Sequence, residues 1–174
     1  MEEKEGILRR LTLGEIRLAS NIFGSSIQYH RIWVHCGSYL PFGLQGKRVG
    51  MAPNGEMYFR KETYQQDFSA THPRVQHFFL HEFAHVWQHQ HGMWVRTRGL
   101  FSWNASYRYT LNERRRLADY GMEQQAQIIA DYFLLKVHGP EALRGAVGHY
   151  AGFSGKVDAG TLQQFRKILP PEIR

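Results

Sequence analysis

Two histidines four residues apart, with a glutamate directly after the first, stand in the stretch His81-Glu82-Phe83-Ala84-His85. On a helix, four residues make about one turn, so both imidazoles reach the same side and can bind one zinc ion through two nitrogens. A glutamate beside such a pair is placed to accept a proton from water at the metal. The spacing predicts a zinc-dependent hydrolase, with peptide bonds as the expected substrate and Glu82 as the base. The competing expectation is a helix whose surface histidines bond to water. Projection at about 100° per residue argues against it: Phe79, Leu80, Phe83, Val86 and Trp87 fall in one arc, with His77, His81, His85 and Gln88 roughly opposite.

A catalytic zinc site usually takes three protein ligands and keeps one position open, so the chain must supply one more. His91 follows His81 at the spacing of the HExxHxxGxxH pattern, but Gln88 stands where that pattern has its helix-breaking glycine. If the helix runs on to Gly92, His91 lies about 9 Å along the axis from His85 and cannot share the ion. Glu123 is the stronger candidate, because it enters an otherwise apolar segment where an unpaired carboxylate is costly and a metal would compensate it. Asp119 is a further candidate.

These side chains need two helices to hold them. The first is the apolar-patterned run Arg74 to Gly92, preceded by capping residues from Asp67 and by Pro73 in its first turn. The second is Tyr120 to His138, apolar nearly all round and stopped by Gly139-Pro140, which places it in the middle of the core. Upstream, Thr12-Leu13-Gly14-Glu15 has capping-box spacing and opens a helix from about Leu13 to Phe23, ended by Gly24. Ser26 to His35 is rich in β-branched and aromatic residues and reads as the first strand. Ser38 to Gly46 reads as irregular loop, and Arg48–Ala52 with Glu56–Arg60 read as a hairpin around Pro53-Asn54-Gly55.

Met93 to Leu111 mixes aromatics with Arg96, Arg98 and Arg108 and reads as a loop packed over the site, with a short strand at Ser106 to Leu111. Asn112 to Arg116 reads as a solvated charge run or turn. A short helix near Glu141 to Tyr150 and a last one from about Asp158 to Leu169 complete an α+β domain. The sheet is expected to be small and mostly antiparallel, packed on the His81 helix and on the helix that carries the third ligand. No boundary divides residues 1–174, and residues 1–11 read as a flexible lead.

Composition narrows the class further. The chain has 174 residues, 43% of them hydrophobic, which suits one globular domain rather than a disordered segment. Cys36 is the single cysteine, which excludes an intramolecular disulfide and a cysteine-held zinc. A net charge of +7 favours anionic partners or surfaces. The acidic start lacks an apolar core of signal-peptide length, and no apolar run is long enough to span a membrane. A protein made soluble in the cytoplasm, without a cleaved leader, is expected.

Glu123-Gln124-Gln125-Ala126 after the His81 helix resembles the ExxA second motif of glutamate-ligand zincins. More narrowly, four stretches resemble Vgr-related zinc metallopeptidase domains, which are fused to, or encoded beside, spike proteins of bacterial type VI secretion systems. They are Leu40-Pro41-Phe42-Gly43, Pro53 to Phe59, His81 to Gln88, and Glu123 to Ala126 with Asp131-Tyr132-Phe133. The similarity runs from about Leu11 to Leu135. It implies a zincin-like fold, His81, His85 and Glu123 as zinc ligands, Glu82 as catalytic base, and a spike protein as partner. It also implies delivery by a type VI system as an antibacterial effector acting in the periplasm or cytoplasm of a target cell. The expected substrate is a protein or a peptidoglycan stem peptide, held along an edge strand of the 48–60 hairpin.

One position departs from the pattern. Many such proteins place an aspartate four residues after the ligand glutamate to orient a ligand histidine, and this chain has Gln127, so Asp131 or Asp119 is expected to take over that role. Tyr107, Tyr109 and Tyr120 are the phenols expected near the site as donors to a developing oxyanion. Two other classes remain open: a non-catalytic zinc-containing interaction module of a secretion spike, and a DNA-associated metalloprotease using Arg96, Arg98, Arg108 and Arg114 to Arg116. No nucleic-acid-binding signature accompanies those arginines, so nucleic acid is not expected as a partner.

Overall fold

A computed structural model describes residues 5–93 and 106–173 of the chain. Thr12 starts helix α1 (Leu13–Phe23): its hydroxyl accepts from Glu15 N, and the Glu15 carboxylate accepts from Thr12 N. Both bonds satisfy backbone donors that a helix start leaves open. Gly24 ends the helix, with a positive φ of 49° that disfavours other residues. The buried Glu15 does more than cap. Its carboxylate takes both arms of the Arg9 guanidinium at 2.8 Å and the N–H of Phe68 at 3.0 Å, tying together three segments.

Arg9 lies in strand β1 (Ile7–Arg10), inside the lead that the sequence reads as flexible. Alternating burial explains the strand: Ile7 and Arg9 turn inward while Leu8 and Arg10 face out. β2 (Trp33–Cys36), β3 (Gly50–Met51) and β4 (Met57–Phe59) complete a sheet in the order β1-β2-β4-β3. The outer two of the three pairings are antiparallel, in keeping with the small, mostly antiparallel sheet expected, while the central β2–β4 pairing is parallel and makes the sheet mixed.

The first sequence-predicted strand is also displaced. Tyr29–Arg31 is a single 3₁₀ turn, held by Tyr29 Oη donating to Gly24 O and by the Gln90 side chain accepting from Gln28 N. The β-branched Ile27 and Ile32 are buried there without forming a ladder, which composition alone does not distinguish. The hairpin forms where expected but is short. The Gln45 amide takes Val49 O at 2.7 Å and Tyr58 O at 2.9 Å, carbonyls that a longer ladder would use.

Helix α2 (Pro73–Gln90) begins at His72, with Pro73 at its first position. Its apolar arc packs on the sheet and α1: Phe79 stacks on Phe68 at 4.6 Å, Phe68 meets Phe59 at 4.6 Å, and Phe23 meets Phe83 at 5.4 Å. Each such ring contributes roughly 1.5–3 kcal/mol by leaving water. The opposite, histidine-bearing stripe is buried as well, because helix α3 (Met122–Phe133) lies along it. α3 runs on through a π-helical turn at Leu134–His138 to Gly139, as the sequence predicts. Its far side packs Tyr132 on Phe165 of helix α5 (Thr161–Ile168), and a short α4 (Pro140–Ala146) bridges the two.

The loop expected over the site from Met93 lies largely outside the described residues, including Trp94, Arg96, Arg98, Phe101 and Trp103. The strand expected at Ser106 to Leu111 reduces to one parallel bridge between Tyr109 and Phe153. Among the described residues, no helix is long and apolar enough to cross a membrane.

Candidate metal centre

α2 places His77, His81 and His85 one turn apart, and α3 places Glu123, Gln127 and Asp131 at the same four-residue step. The helices lie stripe to stripe. At one end, Glu123 Oε2 stands 3.2 Å from His81 Nε2 and 3.1 Å from His85 Nε2, and one ligand atom from each residue falls within 4.8 Å of the others. Two imidazoles thus converge on one carboxylate oxygen. His81, Glu82 and His85 are buried, at 8%, 5% and 6% exposure.

The charge state of this trio follows from its neighbours. Burial alone would raise the Glu123 carboxyl, but the hydrogen bonds from His81 and His85 hold it well below the usual carboxylate range. Burial would lower His85, yet the Glu123 carboxylate bonded to it, with Glu82 nearby, pushes it up to about 9. His81 moves the other way: burial lowers it, and the bond to Glu123 does not make up the difference. A carboxylate, a neutral imidazole and a second imidazole holding one displaceable proton form the N,N,O donor set that suits zinc.

His85 is further fixed by Gln88. The Gln88 Nε2 donates to Met122 O at 3.0 Å and to Gln125 Oε1 at 3.1 Å, which turns its Oε1 toward His85 Nδ1 at 2.7 Å. An amide oxygen only accepts, so Nδ1 carries the proton and Nε2 is the atom presented to Glu123. The sequence reading places Gln88 on the histidine stripe and notes that it replaces a glycine, but gives it no task. Its position about two turns after His81 and three residues after His85 is the signal that it shares their face.

Glu82 lies beside the trio, against strand β3. A Cβ on residue 50 would stand 2.6 Å from Glu82 Cγ and 2.7 Å from its Oε1, so only glycine lets the edge strand approach this carboxylate so closely. Burial pushes the Glu82 carboxyl up to about 7, with His85 lowering it and Glu123 raising it. A carboxyl in that range can accept and return a proton near neutral pH.

The three tyrosines separate clearly. Tyr107 is the one at the site, its ring centroid 5.9 Å from that of His81. Its phenol is held up at about 12 by burial and by the charges of Glu123 and Glu82, so it remains a donor. Tyr109 donates instead to Asp131 Oδ2 at 2.7 Å, and Tyr120 donates to Thr110 O at 2.9 Å. Neither faces the trio.

The expected replacements for the missing aspartate do not orient a ligand histidine. Asp131 binds His77, whose Nε2 lies 2.8 Å from Oδ1, and takes further bonds from Gln127 Nε2, Tyr109 Oη, Gly152 N and Phe153 N. It cannot also reach His81 or His85, which stand one and two turns away along α2. Asp119 is exposed and accepts from Arg116 N at 2.7 Å, which removes it both as a third ligand and as an orienting group. His91 caps the end of α2 and donates from Nδ1 to Trp87 O at 2.8 Å, apart from the trio because the helix does continue past Gln88.

No family model matches the chain. The type VI secretion system spike protein VgrG2b of Pseudomonas aeruginosa is 41% identical over 151 aligned residues, in an alignment that covers 83% of this chain. The chain spans only 14% of that protein's length. Among solved structures, the effector domain of Pseudomonas aeruginosa VgrG2b is similar over 87% of each chain, at 34% identity and a TM-score of 0.67. The likeness therefore covers most of this chain and most of that domain, and the chain belongs to the family of the VgrG2b effector domain.

Proposed function

We propose that this chain is a zinc metallopeptidase, acting as the effector domain of a type VI secretion spike. The observation that carries the reading is the convergence of His81 Nε2, His85 Nε2 and Glu123 Oε2 within 4.8 Å, with Glu82 adjacent on the same helix. Zinc held by these three atoms would supply Lewis acidity toward water and a substrate carbonyl.

The chain's own residues then have distinct tasks. Glu82 takes a proton from the attacking water and hands it to the leaving amine. Gln88 keeps the His85 tautomer that presents Nε2. Tyr107 donates its phenol hydrogen to the oxygen on which negative charge develops. β3 is an edge strand bonded only to β4, so its free side can pair with an extended substrate that then passes over Glu82. Secretion with the spike and action in a target cell, on protein or on peptidoglycan stem peptides, belong to the same proposal.

The test uses wild type and Glu82→Gln at matched zinc content, assayed against unfolded protein and against isolated peptidoglycan. The expected result is amide hydrolysis by wild type that falls about 10²–10⁴-fold in the variant. Equal turnover in both would remove Glu82 from the chemistry. Stoichiometric zinc with no hydrolysis of either polymer would replace the enzyme with a zinc-containing interaction module.

A further inference from the structure

A polar hollow of about 280 Å³ lies at the start of α3. Its wall includes Arg108, Arg115, Thr110, Gln124 and Ser154, two guanidinium groups with neutral donors and no carboxylate among them. Arg115 is held in place: its guanidinium lies over the Tyr120 ring at 4.3 Å and donates to Asp119 O, a bond that uses only one of its five N–H groups. The Arg108 guanidinium has no ion-pair or hydrogen-bond partner among the described residues. Neither arginine forms an ion pair among the described residues.

Its place in the fold ties it to the site. Tyr107, which stands against His81, is followed directly by Arg108, and the ligand Glu123 is followed directly by Gln124. Consecutive Cα atoms lie about 3.8 Å apart, so two walls of the hollow are each joined directly in the chain to a residue of the proposed centre. Gln124 Nε2 donates to Arg108 O at 2.8 Å and locks those walls together. A volume of about 280 Å³ is too small for a whole peptide and suits one side chain or a chain end.

We infer that this hollow is a subsite for a carboxylate of the substrate, so that the enzyme selects acidic peptides. The inference rests on the peptidase reading. Guanidinium forks match the planar carboxylate through paired N–H···O bonds, and the net charge of +7 draws such substrates in. A side-chain carboxylate and a C-terminal one share this chemistry, and peptide design separates them.

The experiment is isothermal titration of the full chain with three peptide mixtures having randomised flanking positions. One holds an internal glutamate and an amidated end, one has glutamine at that position with an amidated end, and one has glutamine with a free terminal carboxylate. The expected result is binding about 10-fold tighter for at least one carboxylate mixture than for the neutral one, which also assigns the source. Arg108→Gln and Arg115→Gln should each reduce that preference to below about 2-fold at unchanged melting temperature. Equal or undetectable binding of all three mixtures, or a preference that survives both substitutions, would overturn the subsite. Because binding is read without turnover, a carboxylate preference in a chain that hydrolyses nothing would keep the subsite and remove the peptidase. Hydrolysis with no such preference would do the reverse.

Discussion

Glu123 and Asp131 stand on one stripe of α3 and each meets histidines of α2, yet their surroundings differ. Asp131 is fully buried, and both of its oxygens are taken by His77, Gln127, Tyr109, Gly152 and Phe153. A carboxylate satisfied by that many protein donors has no lone pair left for a metal. Among the described residues, Glu123 meets only the two imidazoles through one oxygen, and neither imidazole needs its proton to keep its place, because α2 and Gln88 hold them. A carboxylate facing imidazole on the same pair of helices makes a structural lock at one end and the proposed cation site at the other. Counting donors against lone pairs separates them where residue type does not.

The lock also serves the open end. Tyr109 is fastened to Asp131 by its hydroxyl and to Gly152 through its backbone N–H at 3.0 Å. A Cβ on Gly152 would lie 2.2 Å from Tyr107 O, so the strands close only around glycine. Two residues along, Tyr107 is thereby set over His81.

The largest expected break is at the lock. Asp131→Ala should lower the unfolding free energy by about 3–5 kcal/mol, measured by urea denaturation with chelator present, because several buried donors lose their acceptor. Glu123→Ala under the same conditions should cost far less; equal losses would erase the distinction between the two ends. Next in size, Tyr107→Phe should reduce kcat about 10²–10³-fold while zinc content and KM stay close to wild type. An unchanged kcat would leave Tyr107 as a packed aromatic. Smallest is Gln88→Ala, expected to weaken zinc binding about 10–100-fold in a competition titration with a chromophoric chelator, without loss of fold. Unchanged affinity would mean that α2 alone orients His85.

Much of this arrangement is legible in the residues. The histidine spacing and the Thr12–Glu15 and Gly24 end signals read directly, because each acts within one or two turns of chain. Glu123 reads as a ligand because a carboxylate in an apolar helix needs a cation. The role of Asp131 does not, since its partners come from four separate segments and nothing local reports which of them arrive. The parallel β2–β4 pairing is hidden for the same reason: strand direction depends on how the 37–56 connection travels, and the pattern of the strands themselves is the same either way. The 3₁₀ turn at Tyr29–Arg31 shows the limit of composition, because buried isoleucines suit a turn as well as a strand.

The central claim is that His81, His85 and Glu123 hold a metal ion. Elemental analysis of wild type and Glu123→Ala, purified side by side without added metal, tests it most directly. One zinc per chain in wild type and a greatly reduced content in the variant is the predicted result. A wild-type chain that carries no zinc, even after zinc is offered, would contradict it.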